Sequence, residues 1–199
     1  MSPPTSLDTP RWEWRTFVDS LGEAEARIRF HRLAGVGSCI ETHVVSSDGP
    51  WDARIRDGAL RLRRLERSAP DGLELWSPAL AWAFPLGEDG FAAACAAWGV
   101  KAHAPQGGCS AERLLEDVVA RHPRLAAVVV AQERFTFDVD GCPVELAHLT
   151  FDGSPVRTAA VVHEDPERAR ATLHALGLSN LENVNYVRAL RRFRALRAA

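Results

Sequence analysis

Lysine is almost missing from this chain: Lys101 stands alone, and the other 23 of its 24 basic residues are arginine. A GC-rich genome produces that bias without functional meaning, so the preference alone assigns nothing. Paired cysteines are missing too. Cys39, Cys95, Cys109 and Cys142 are scattered and form no CxxC motif, which argues against structural zinc and a disulfide framework and leaves each as a small buried hydrophobe. No apolar run approaches the about 18 residues of a membrane-spanning helix. The opening MSPPTSLDTP carries neither the basic nor the apolar region of a secretory signal. The expectation is a reduced, cytoplasmic protein with no membrane partner. Excess charge is lacking as well: the net charge is -2, which excludes polyanion coating by bulk attraction and argues against nucleic acid as a partner.

What is present suits one domain. The 199 residues are 46% hydrophobic and 25% charged, enough for a proper core over residues 10–199, behind a proline-rich flexible tail at 1–9. The densest signal is WDARIRDGALRLRRLE, residues 51–66. Asp57-Gly58 is the dipeptide of a two-residue hairpin turn. Alternation then places Arg54, Arg56, Arg61 and Arg63 on one face, and Ala53, Ile55, Leu60 and Leu62 on the other. Like charges packed so closely repel. They need water or a bound anion, which guanidinium forks hold bidentately. Taken alone, the hairpin reads slightly better as a solvated edge.

Along the chain, RWEWRTFVD alternates Arg11, Glu13 and Arg15 with Trp12 and Trp14, as a strand with a charged face. Ser20 and Glu23 resemble a capping box before a helix that ends at Gly35. Cys39 to Ser46 reads as a strand with Glu41 and His43 on one face. Leu73 to Phe84 is a further strand, bent at Pro78. Helices follow over Glu88 to Val100, packed through Phe91 and Trp98, and over Glu112 to His122 after Ser110. Residues 125–140 and 142–152 form a strand pair turned at Asp140-Gly141. A last strand, VRTAAVVHE, precedes a helix opened by Asp165-Pro166 and closed near Gly177. NYVRALRRFRALR is an amphipathic helix whose Arg188, Arg191, Arg192, Arg194 and Arg197 read as a solvated face. About eight half-apolar, half-charged strands with interspersed helices fit an α+β protein. An eight-stranded antiparallel closed β-barrel (tunnel) with flanking helices explains the pattern, and an open sheet with one solvated face explains it almost as well. Closure would gather charged residues from distant positions inside.

The order of elements from Trp12 to about Phe193 resembles the CYTH superfamily, the triphosphate tunnel metalloenzymes that include class IV adenylate cyclases and thiamine triphosphatases. Arg11, Glu13 and Arg15 stand where that family has ExExK. Arg54, Arg56 and Arg63 match its basic hairpin, Arg134 a later basic strand, and Glu145 the acidic strand after it. Several positions depart. Arg11 replaces the first acid, His148 stands at a second acidic position of VELAHL, Val161, Val162 and His163 precede Glu164 where a metal-binding glutamate is usual, and Ala81 lies near an expected lysine. The arginine lining is kept and much of the acidic lining is lost.

The resemblance implies a tunnel that binds a phosphorylated small-molecule polyanion. Substrate-binding residues would be Arg15, Arg54, Arg56, Arg61, Arg63, Arg134 and Arg157. Glu13 and Glu145 would hold Mg²⁺ or Mn²⁺, and Glu13, Glu145 and His148 would be catalytic, as in a triphosphatase-like phosphohydrolase. Hard divalent cations need several oxygen ligands, so the thinned acids leave two alternatives open. One is a non-catalytic anion-binding pseudoenzyme; the other is a repurposed tunnel enzyme using histidine and glutamate acid-base chemistry on a non-phosphate substrate. Glu41, Glu133 and Glu164 are further acids, with Glu133 opposite in face to Arg134. His43, His148 and His163 would form a softer metal site only if they converged, and each is more simply a hydrogen-bonded barrel histidine. Trp51 is the tryptophan placed to stack on a ligand ring. The oligomeric state stays open, a homodimer being one option.

Overall fold

The computed structural model describes residues 5–7 and 9–198. In chain order these form β1 (Thr5–Leu7), β2 (Arg11–Val18), α1 (Glu23–Phe30), β3 (Arg32–Ser46), β4 (Trp51–Arg56), β5 (Ala59–Ser68), β6 (Glu74–Trp76) and β7 (Ala79–Ala83). Then come α2 (Glu88–Trp98), α3 (Ala111–Arg113) with a π-helical continuation over Leu114–Val119, β8 (Leu125–Val139), β9 (Cys142–Phe151), β10 (Ser154–His163), α4 (Pro166–Leu176) and α5 (Tyr186–Ala198).

Eight strands close into an antiparallel barrel in the order β5, β4, β3, β8, β9, β10, β2, β6, with β6 returning to β5. Strands β6 and β7 run along β5 in succession, interrupted at Ser77-Pro78. Proline has no N–H to donate to a ladder. The break lets β6 turn to β2 and close the barrel while β7 diverges to pair with β1.

Apolar partners outside the barrel decide which way the arginines point. Ala53, Leu60 and Leu62 are buried against Phe91, Ala94 and Trp98 of α2. Fully burying a leucine contributes about 1.5–3 kcal/mol, and a one-residue slip would turn every such side chain to the opposite face. Arg54, Arg61 and Arg63 are therefore held inward. The solvated-edge alternative for this hairpin does not apply. A second outer layer packs Trp12, Trp14, Phe137, Val144, Leu146, Ala159 and Val161 under α1 and α4. The third cluster is internal: Phe17, Val45, Val128, Val130, Leu149 and Phe151 meet Tyr186, Ala189 and Leu190 of α5. Helix α5 thus stoppers one end of the barrel, and the tunnel becomes a cup open at the other.

Both Asp-Gly turns form as expected, with positive φ at Asp57 and Gly58 and again at Asp140 and Gly141. Several local expectations change. Helix α1 starts behind Gly22, with no side-chain cap, and stops at Phe30; β3 begins at Arg32, seven residues before Cys39, because it pairs with β8 as far as Asp138. Long-range pairing overrides the helical spacing of residues 31–35. Residues 5–7 of the expected tail form β1; residues 1–4 and 8 lie outside the described residues. Arg188 and Arg191 are not a plain solvated face: Arg188 reaches the buried Glu74, and Arg191 donates to the carbonyls of Ser46 and Gly49. The side chain of Arg197 lies outside the described ones. No helix among the described residues is long and apolar enough to cross a membrane.

Candidate functional site: an arginine-lined cup

Above the apolar floor lies a layer of buried charge. Alternation along β2 points Glu13 and Arg15 inward; β3 adds Glu41 and His43, β4 adds Asp52 and Arg54, β5 adds Arg63, and β9 adds Glu145. Arg15 donates through Nε to Glu13 Oε1 at 3.1 Å and through Nη1 to Glu145 Oε1 at 2.9 Å. Arg63 donates through Nη1 to Glu13 Oε2 at 2.6 Å and through Nε to Asp52 Oδ2 at 2.8 Å. Arg54 donates to the same Asp52 oxygen at 2.9 Å. The His43 ring lies between two acids, with Nε2 2.9 Å from Glu41 Oε1 and Nδ1 3.5 Å from Asp52 Oδ1, and is stacked on Tyr186. The Arg15 guanidinium also lies over the Tyr186 ring, 4.7 Å from its centroid.

The mouth is a cavity of about 360 Å³ lined by Arg11, Arg54, Arg56, Arg61, Arg63 and Arg134. Its acidic lining is Glu13, Glu41 and Asp52. Arg63 stacks on Trp76 at 4.5 Å. Toward the rim the pairing thins: Arg134 donates to Glu145 Oε2 at 3.3 Å, Arg56 to the exposed Asp57, and Arg11 lies 3.8 Å from Glu164. Arg61 stands directly across from Arg54 in the β4–β5 register, and its buried Nε has no hydrogen-bond partner among the described residues. The cavity itself is lined by six arginines and three carboxylates. A concave site with that surplus focuses positive potential on its opening.

Burial and partners pull the titrations in opposite directions. Burial would raise the Glu13 carboxyl, but Arg63 and Arg15 outweigh it and hold it at about 2, against an ordinary 4.5. Glu41 is likewise held at about 2: burial opposes, and the His43 hydrogen bond and the Arg54 charge win. Burial would lower His43, yet its contacts with Asp52 and Glu41 leave it raised. Folded values below unfolded ones mean that Glu13 and Glu41 stabilise fully above about pH 4.5, and that this stabilisation is lost as pH falls toward 2. At about 1.4 kcal/mol per pH unit, each contributes on the order of 3 kcal/mol at neutrality. His43 has the opposite sign: its contribution is present below its unfolded 6.5 and is lost as pH rises through the raised value. Urea midpoints measured across pH should drop steeply below about pH 4.5, and Glu13→Gln should flatten that limb. Identical acid limbs in the two proteins would contradict the pairing.

Other expected site residues are not brought together. His148 faces outward, because β9 turns Glu145, Ala147 and Leu149 inward and the residues between them out. It lies 3.7 Å from Glu133 on the exposed surface, so the catalytic expectation for it is corrected. Arg157 likewise faces out and pairs with Glu25 at 3.5 Å, so its substrate-binding role is withdrawn on the same alternation. His163 accepts from the Asp165 backbone N–H, far from a convergence with His43 and His148. Trp51 packs with the outer α2 cluster, away from the position expected of it, whereas Trp76 lines the cavity and carries the Arg63 guanidinium over its ring. Asp52 was not singled out from the sequence, although it lies two residues before Arg54 and so shares its face. That spacing was the available signal.

The sequence resemblance implies a divalent cation, and the donor set among the described residues does not fit one. Among the described residues no three His, Cys, Asp or Glu gather as ligands. The orphaned buried oxygens, Glu41 Oε2 and Asp52 Oδ1, belong to carboxylates separated by the His43 ring.

No family model and no curated protein sequence matches the chain. Solved structures do. A Bacillus halodurans protein described as an adenylate cyclase candidate superposes with a TM-score of 0.50 at 16% identity, covering 89% of this chain and 95% of that one. A Hippeastrum adenylyl cyclase candidate, whose dominant activity is described as that of a triphosphatase, gives a TM-score of 0.51 at 10% identity over 94% of this chain and 95% of its own. With its closed eight-stranded antiparallel barrel, the chain shares the fold of these two proteins.

Proposed function

We propose that this protein binds a phosphorylated small-molecule polyanion in the mouth of the cup. The carrying observation is the surplus of guanidinium groups there: six arginines line about 360 Å³, and the inner acids are already engaged by Arg15, Arg54, Arg63 and Arg134. Guanidinium forks bind phosphate oxygens bidentately, and partial enclosure strengthens such bonds relative to water. Arg56, Arg61 and Arg134 make the first contacts; Arg54 and Arg63 lie deeper, oriented by Asp52.

Calorimetric titration with inorganic tripolyphosphate at low salt is expected to show one-to-one binding that weakens as salt is raised, because the contacts are charge-assisted. Absence of binding at millimolar tripolyphosphate would overturn the proposal. A second reading, triphosphate hydrolysis, is favoured by the activity described for the Hippeastrum neighbour. Phosphate release from tripolyphosphate or a nucleoside triphosphate in Mg²⁺ or Mn²⁺, abolished in Glu145→Gln, would establish it. Turnover that tracked a histidine and ignored phosphates would instead support acid-base chemistry on a different substrate.

A further inference from the structure

The two carboxylates expected to hold a divalent ion have all four oxygens engaged by arginine. Glu13 accepts from Arg15 and Arg63, and Glu145 accepts from Arg15 and Arg134. Arg15 is common to both and bridges them. We infer that the Arg15 guanidinium is a resident cation occupying the place where a divalent ion would join Glu13 to Glu145, so that the cup binds its anion without metal.

Three observations support this. First, Arg15 is buried at 6% exposure between the two carboxylates, and a guanidinium keeps its charge in proteins. Second, its position is fixed from several sides. Nη1 also reaches Thr158 Oγ1 at 3.4 Å, the guanidinium lies over Tyr186, the backbone N–H donates to Asn183 Oδ1 at 2.8 Å, and the carbonyl accepts from Val184 at 2.6 Å. Third, the space below is apolar, filled by Phe17, Leu149 and Phe151, so a displaced guanidinium has no polar refuge there. A hard cation entering between Glu13 and Glu145 would meet a fixed positive charge and no free carboxylate oxygen, whereas such ions require several oxygen ligands.

The anion half of this inference rests on the cup being the anion site; the metal half does not, and can be read with Mn²⁺ alone. In calorimetry and Mn²⁺ electron paramagnetic resonance, the wild-type protein is expected to show no stoichiometric Mn²⁺ binding. Arg15→Ala frees Glu13 Oε1 and Glu145 Oε1. It should bind Mn²⁺ at least about tenfold more tightly than wild type, and Mn²⁺ should raise its melting temperature, since a ligand bound only by the folded state stabilises it. One-to-one Mn²⁺ binding to wild type that disappears in Glu145→Gln overturns the inference, as does a folded Arg15→Ala protein that gains no Mn²⁺ affinity. If Arg15→Ala does not fold, the wild-type titrations decide. Tripolyphosphate affinity equal within about twofold in Mg²⁺ and in EDTA supports a metal-free site, and a loss of about tenfold or more in EDTA overturns it. Failure of tripolyphosphate to bind at all would refute the proposed function while leaving the Mn²⁺ result to stand on its own.

Discussion

Asp52→Asn is expected to destabilise the protein by about 3–5 kcal/mol, the usual consequence of removing one member of a buried ion-pair group. Asp52 is 2% exposed, and its carboxylate is where two guanidinium groups and an imidazole meet: Arg54 and Arg63 donate to Oδ2, and His43 lies 3.5 Å from Oδ1. The asparagine keeps the volume, so no cavity forms and the change isolates charge. Its amide would also present an N–H₂ group to donors that have no acceptor to spare. Burial would raise the Asp52 carboxyl, yet Arg54 and Arg63 hold it well below its ordinary range. Whole domains are stable by only about 5–15 kcal/mol, so the variant should lose a large fraction of its margin. Urea unfolding at neutral pH measures this, with Asp48→Asn as control. Asp48 is exposed and lies 3.9 Å from Arg124, a surface pair worth about 0–1 kcal/mol. A loss at Asp52 no larger than at Asp48 would mean that the inner layer is not held together by charge.

The same residue shows where sequence reading stopped. Alternation was enough to place Arg54, Arg61 and Arg63 on one face, because period-two patterns with Asp-Gly turns report local geometry, but it left a closed barrel and an open sheet nearly equal. It was also enough to put Glu133 opposite Arg134, and the exposed Glu133 agrees. Facing direction is a different matter. His148 and Arg157 lie on charged strands, but each shares its strand's outer face, and only the register against neighbours shows this: the two are opposite each other on β9 and β10. The helix-like residues 31–35 became strand because β8 supplied a partner, a long-range term that no local window contains. The stopper role of α5 was hidden for the same reason. Its arginines looked solvated because Glu74, the partner of Arg188, lies more than a hundred residues earlier. What the sequence could not show about the site was pairing. It displayed acids and bases as separate halves, one for metal and one for anion, whereas in three dimensions each inner acid is already the partner of an arginine or of His43.

That distinction between arginines that hold the fold and arginines that await a ligand leads to the largest expected effect on function. Arg61→Gln should lower tripolyphosphate affinity about 10- to 100-fold, as expected for loss of one charge-assisted contact of about 1.5–3 kcal/mol, without lowering stability. Arg61 lines the mouth, its Nε has no hydrogen-bond partner among the described residues, and the residue directly opposite is Arg54. Facing like charges on neighbouring strands repel by a few tenths of a kcal/mol up to about 1 kcal/mol, so removing one should leave the urea midpoint unchanged or slightly raised. Glutamine retains much of the aliphatic stem and its packing. Arg63→Gln supplies the contrast. Arg63 bridges Glu13 and Asp52 and stacks on Trp76, so its loss should reduce both affinity and stability. A guanidinium kept opposite another guanidinium, with its buried Nε unpaired among the described residues, is explained by an anion that relieves the repulsion. If Arg61→Gln were to lose stability as Arg63→Gln does while keeping its affinity for tripolyphosphate, that explanation would fail, and Arg61 would have to be counted among the structural arginines.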